Sequence, residues 1–276
     1  MTDTPFGPGL AWIERTVALP DRPEPRTPVL VAAGVGPIAE PGTVVLTGGP
    51  SGWVADQPVS QGGCACCVPQ GGLQRGLRAL LPRARRGEVA RVVVETAADA
   101  DPLAALVTLL GDPALMAVFR LAGVAAAGGV DEHARRRIMV ADTIVAGPMV
   151  PDAVRAGNPA ARVIKDLGAL WREARFDPDQ AANALTLSDP LAWPAAGRWL
   201  DHIVRQQAVS RITGVLHIAG CPWPMAVDTA GHHLAPPLLL PAWPAGAAPR
   251  SRLVFMGDGV DMAAIRTGIR TAAWGP

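Results

Sequence analysis

Cys64, Cys66 and Cys67 fall within four residues of one another in GGCACCVPQGG, while the remaining cysteine, Cys221, lies far along the chain in AGCPWP. A disulfide framework spreads its cysteines, so this clustering reads as metal or thiol chemistry. Deprotonated sulfur is a soft ligand that favours Zn(II) or Cu(I). In an extended strand Cys64 and Cys66 would point to one side and Cys67 to the other. Gly62, Gly63, Gly71 and Gly72 free the segment to bend and turn all three sulfurs inward. Three thiolates leave tetrahedral zinc one ligand short. Asp56, Glu95, solvent, a thiol or histidine from a partner, and His232 or His233 are the candidates to complete the shell. An incomplete shell suits transfer, because a recipient can enter without first displacing a ligand. Two other readings stand beside this one. The loop is a relic of ordinary thiols, or it does redox work, against which the missing two-residue spacing counts.

The other chemistry-bearing residues carry less. His217 sits in the strand-like GVLHIAG and reads as structural; His202 follows Asp201 on an amphipathic helix and reads as solvent-facing. His133, in DEHARRR, has no ligand spacing. His232 and His233 precede a proline loop where ligand or partner contact competes with packing and capping. Trp53, near the cysteines, either shields a metal, marks a recognition surface or simply packs. No Ser–His–Asp order, Cys–His pair or carboxylate dyad stands out.

The elements that must position these residues follow from hydrophobic pattern. Residues 29–34, 43–49, 91–96, 123–129, 141–147 and 161–165 read as strands, apolar throughout rather than alternating. Helices are expected over 73–84, 101–110, 113–119, from Asp131 onward and over 151–157. Strands alternating with helices predict a mostly parallel sheet covered on both faces. After the polar, proline-bearing stretch DPDQAANALTLSDPLAWP the rhythm changes. A helix over 196–207, short strands in GVLHIAG, PMAVDT and SRLVFMG, and a closing helix in DMAAIRTGIRTA predict a smaller α+β domain with a largely antiparallel sheet. The expected division is 1–178 and 179–276.

GGCACCVPQGGLQRGLRALLPRARRGEVARVVVET, followed by ADPLAALVTLLGDPAL, resembles the CobW-like group of GTPases and zinc metallochaperones, whose signature is a Gly-Cys-x-Cys-Cys loop. HHLAPPLLLPAWP followed by RSRLVFMG resembles that family's C-terminal domain. The resemblance covers residues 43–276. It implies a P-loop-NTPase-like α/β domain, Cys64, Cys66 and Cys67 as metal-binding thiols, and Glu95 as the acidic residue ending the strand that faces the nucleotide site. It further implies that Trp243 anchors its loop to the small domain, and that GTP hydrolysis is coupled to delivery of zinc or a related ion to a client protein.

The nucleotide-holding parts of such an enzyme are missing from this chain. A phosphate-binding loop needs glycine amides, a lysine and a Ser or Thr for magnesium. The chain has one lysine, Lys165, with no glycine loop before it and no hydroxyl after it. AAGVGPIAE (32–40) is the nearest positional candidate, and Pro37 removes a donor there. The guanine-reading Asn/Thr-Lys-x-Asp is replaced by AGPM (146–149), and Glu95 is followed by TAADAD where a glycine belongs. The expectation is therefore a CobW-like accessory protein binding zinc, or Cu(I) or another soft metal, through the cysteine loop, without GTP or magnesium. The alternatives are a GTP-hydrolysing metallochaperone using unorthodox residues or a partner, and an interaction scaffold.

Lys and Arg total 25 against 24 Asp and Glu, so no broad field invites nucleic acid or an anionic membrane. The runs Arg83, Arg85, Arg86 and Arg135, Arg136, Arg137 are short and read as solvated helix ends, with a phosphate-contact patch as the alternative. No stretch suffices for a membrane span, and MTDTPFGPGLAW lacks a secretion signal, which places the chain in the cytoplasm.

Overall fold

A computed structural model describes residues 22–36, 38, 41–47, 71–145, 152, 158–165, 181–205, 208–243 and 248–274. The chain divides into two compact units, Pro25–Ala182 and a second built on Asn183–Pro276.

The first unit is a six-stranded sheet in the order β2-β3-β1-β4-β5-β6, with every pair parallel. Its strands are β1 (Thr27–Ala33), β2 (Thr43–Thr47), β3 (Arg91–Thr96), β4 (Phe119–Ala127), β5 (Thr143–Val145) and β6 (Arg162–Ile164). The central strands are Val- and Ala-rich because both faces of a parallel sheet are buried; Val29, Val92, Val93, Val124 and Ala125 are all fully covered. Three of its helices are α1 (Gly71–Arg85), α2 (Pro102–Leu110) and the single turn α3 (Pro113–Met116); a fourth is α4 (Glu132–Met139). α1, α2 and α4 connect strands that step in the same direction across the sheet. Right-handed crossovers therefore put all three on one face.

Local chemistry explains where these helices start. Asp101, Asp112 and Asp131 each accept a backbone N–H as N-caps of α2, α3 and α4, and Pro102 and Pro113 occupy first-turn positions where no N–H is needed. Asp112 does more than cap. Its carboxylate also accepts from Gln74 Nε2 at 2.9 Å and Arg78 Nε at 2.8 Å, stitching α1 to the start of α3. Burial raises the Asp112 pKa, but the hydrogen bonds from Arg78, Gln74, Ala114 and Leu115 outweigh it and hold the carboxyl below its usual value.

Only nine residues, 34–42, join β1 to β2. Ala33 pairs with Thr96 and Thr43 with Arg91, so the link must run back along five residues of β3 and sideways past one strand. That path is about 20 Å at ordinary strand spacings. Nine residues wound as an α-helix reach about 13 Å, and extended about 30 Å. The connection has no length for a helical crossover. Ile38, in its middle, is 4% exposed and packs with Leu30, Ala32, Val93 and Ala125 on the face opposite the three helices.

The second unit has a five-strand antiparallel path, β10-β9-β8-β12-β7, with β11 also paired to β9. The strands are β7 (Ala184–Leu187), β8 (Arg211–Leu216), β9 (Met225–Ala230), β10 (His233–Leu234), β11 (Leu238–Leu239) and β12 (Ser251–Met256). α5 (Trp193–Val204) and α6 (Met262–Trp274) complete it. Trp199 meets Phe255 edge-on, ring centroids 5.9 Å apart, in a core shared with Leu200, Ile203, Ile212 and Ile265. Gly214 in β8 lies so close to β12 that a Cβ would fall 2.0 Å from the Arg252 carbonyl oxygen. Arg211, wholly buried, pairs with Asp228 at 3.2 Å, and Thr213 donates to the same carboxylate oxygen at 2.8 Å.

Several expectations shift by local causes. Residues 113–119 form one helical turn rather than two, since the chain turns into β4 at Phe119. β4 is nine residues long because it lies beside β1, and β7, unforeseen in a polar stretch, is recruited by β12. The helix expected over 196–207 begins at Trp193 and ends at Val204.

Candidate functional site

The carboxyl ends of β1, β3 and β4 meet where strand order reverses, the place where open parallel α/β sheets hold ligands. β1 ends in the turn Gly34-Val35-Gly36, and both glycines adopt positive φ, +66° and +86°. Gly34 donates its N–H to the Thr96 carbonyl at 3.1 Å, fixing the turn onto β3. Its missing side chain is spatially required. A Cβ there would come 3.1 Å from Ala98 Cα and 3.6 Å from Arg137 Nε.

Glu95 is the penultimate residue of β3, on the face shared with Val93. One carboxylate oxygen accepts the Ile38 N–H at 3.3 Å and the other the Thr47 hydroxyl at 3.2 Å. The residue thereby ties the β1–β2 link and the end of β2 to β3. Each oxygen keeps a second lone pair, so these bonds hold the carboxylate in place without using up its capacity to accept.

Arg137 departs from the solvated helix end expected of its run. On α4, Ala134, Arg137 and Ile138 are buried, at helical spacing, while Arg135 and Arg136 are exposed. The spacing from Ala134 to Ile138 was the available signal. Arg137 is 5% exposed, and among the described residues its Nε has no hydrogen-bond partner. The Thr96 hydroxyl, on a residue 9% exposed, is likewise without one. Asp131 is an opposing charge that feels Arg137. Its carboxyl is held below its usual value first by the Ala134 N–H, which it accepts at 2.7 Å, and further by the charges of Arg137 and His133.

Cys64, Cys66, Cys67, Asp56 and Trp53 lie outside the described residues, as does the AGPM segment. Among the described residues, no three His, Cys, Asp or Glu side chains gather as a metal shell. Lys165 directly follows β6, at the sheet's far edge, away from the β1 turn.

In the second unit, His233 lies in β10 and His232 just before it. His232 Nδ1 is 2.9 Å from the Val204 carbonyl, which ties it to the end of α5. Burial lowers the His233 pKa, and His232 beside it lowers it further. Trp243 Nε1 donates to the Pro222 carbonyl at 3.1 Å, and its ring meets His217 edge-on with centroids 5.7 Å apart. His217 also donates its backbone N–H to Ser251 Oγ at 2.9 Å, consistent with a structural part. His202 and His133 are exposed.

Among the described residues, no helix is long and apolar enough to cross a membrane. No curated protein matches the chain. Residues 181–273 match the family model of the cobalamin synthesis protein cobW C-terminal domain. Solved structures resemble the fold over 90% of the chain, two of them as follows. One is Zn(II)-bound YjiA GTPase from E. coli, at 18% identity and a TM-score of 0.59, covering 90% of this chain and 99% of that one. The other is a Zn(II)-bound triple mutant of YjiA GTPase, at 17% identity and a TM-score of 0.56 with the same coverage. At that identity the likeness speaks for fold. The second unit thus carries the match to the cobW C-terminal domain, and the whole chain shares the fold of the two YjiA structures.

Proposed function

We propose that the protein is a metal-binding accessory member of the CobW-like group, which receives or presents zinc as cargo through Cys64, Cys66 and Cys67 and does not hydrolyse GTP on its own. The observation that carries the nucleotide half is the nine-residue β1–β2 link. A phosphate-binding loop is followed by a helix whose N-terminus faces the phosphates, and this link has room for neither, nor a lysine or a hydroxyl to serve them. Supporting the metal half are the donor chemistry of three clustered thiols and the zinc carried by the similarly folded YjiA GTPase. Glu95 or Asp56 is the intramolecular choice for a fourth ligand. A client protein's thiol or histidine would replace it during transfer, with His232, His233 and Trp243 as candidate contacts for the client. Cu(I) fits the same thiolates.

One experiment tests both halves. Anaerobically purified protein should carry about one zinc or copper per chain, by elemental analysis, and lose it when all three clustered cysteines become Ser. Titration of the same sample with GTP and magnesium should give no heat. Unchanged metal in the serine variant would remove the metal reading. A saturable GTP signal would favour the second reading, a GTP-binding metallochaperone with unorthodox residues, for which the buried Arg137 beside the β1 turn is the favouring observation. Thiol deprotonation accompanies binding, so metal affinity should fall on acidification.

A further inference from the structure

We infer that the carboxyl edge of the first sheet binds a single phosphate-type oxyanion, held by Arg137 and Thr96 above Gly34. A guanidinium buried to this degree is costly unless an opposing charge and hydrogen-bond acceptors meet it. Arg137 lies against Gly34, yet among the described residues its Nε has no acceptor, and the Asp131 carboxylate that shares its field is already committed to capping α4. Thr96, whose carbonyl fixes Gly34, presents a second buried donor without a partner. By strand alternation Thr96 faces opposite Glu95, on the side where the crossovers place α4. The carboxylate of Glu95 is thereby kept off the anion. Two unmet donors thus flank one glycine turn at the point where such sheets take ligands.

The charge sets the size of the ligand. One guanidinium offsets about one negative charge and offers a planar fork to two oxygens of a tetrahedral anion. A triphosphate chain would leave several charges unmatched. The fitting ligand is one phosphate group, either inorganic phosphate or the monoester of a small molecule. This inference does not rest on the metal reading, since neither residue belongs to the cysteine loop.

The test uses the full chain with Cys64, Cys66 and Cys67 changed to Ser, so that metal loading cannot enter. Inorganic phosphate, a simple alkyl phosphate monoester and acetate are titrated at constant ionic strength and followed calorimetrically. A thermal shift alone would not serve, because phosphate stabilises many folds by exclusion from the surface. Saturable phosphate or monoester binding with a Kd of about 1 mM or tighter is expected, with acetate weaker. Whichever of the two phosphates binds more tightly identifies the source. Arg137→Met should weaken binding at least about tenfold, and Thr96→Val by a smaller factor. If Arg137→Met fails to fold, the Arg137 Nε resonance of the chain that keeps Arg137 decides, and it should move on phosphate addition. Absence of saturable binding, an unmoved resonance, or equal affinity in a folded Arg137→Met chain would each overturn the proposal.

Discussion

At the scale of single residues, type and position carry different information. The cysteine cluster stands out in the sequence because thiols so close together have few uses, and the donor that would complete a metal shell depends on geometry that spacing does not encode. Arg137 shows the converse. Its type suggested solvent, and only its place on the buried stripe of α4 argued otherwise. Asp112 is the residue whose energetics are best defined, with its side chain 3% exposed and four donors upon it. Asp112→Asn should destabilise the first unit by about 1–2 kcal/mol at neutral pH, since Arg78 is more than half exposed and screened. The folded-state pKa is lowered, so the advantage of Asp112 is fully present above the unfolded value near pH 4 and is lost as pH falls through the folded value. Urea unfolding at pH 7 should separate the two proteins, and at pH 3 the gap should narrow. A constant gap would contradict this account.

At the scale of elements, the buried strands were readable wherever apolar residues run without interruption, as in RVVVET, which forms β3 over the expected residues. β7 was not, because four residues flanked by Asn, Asp and Pro carry no local preference strong enough to show; the ladder with β12 decides it. Strand order is also beyond local pattern, since it is fixed by crossovers and packing. The β8–β12 ladder depends on one position of this kind. Gly214 has φ +150° and leaves no space for a side chain. Gly214→Ala is expected to cost about 4 kcal/mol or more, through backbone clash and separation of the two strands. Thermal unfolding followed by circular dichroism measures it, and a loss below about 1 kcal/mol would show that the strands part without penalty.

At the scale of the whole molecule, Pro25–Ala182 forms one compact unit and Asn183–Pro276 belongs to another. The second unit has its own core around Trp199, Leu200, Ile212 and Phe255. A fragment spanning residues 181–276 should therefore fold alone, with a cooperative thermal transition; a coil-like spectrum would show that it needs the first unit. The short strap between β1 and β2 has a kinetic consequence. Loops of about ten residues close in well under a microsecond, so these two strands are tethered early, one strand width too far apart to pair. The strand that must slot between them arrives only after residues 48–90 have been brought round, a slower closure. Assembly of the sheet is thus expected to wait on that insertion, and Val93→Ala should slow refolding in stopped-flow measurements more than it accelerates unfolding.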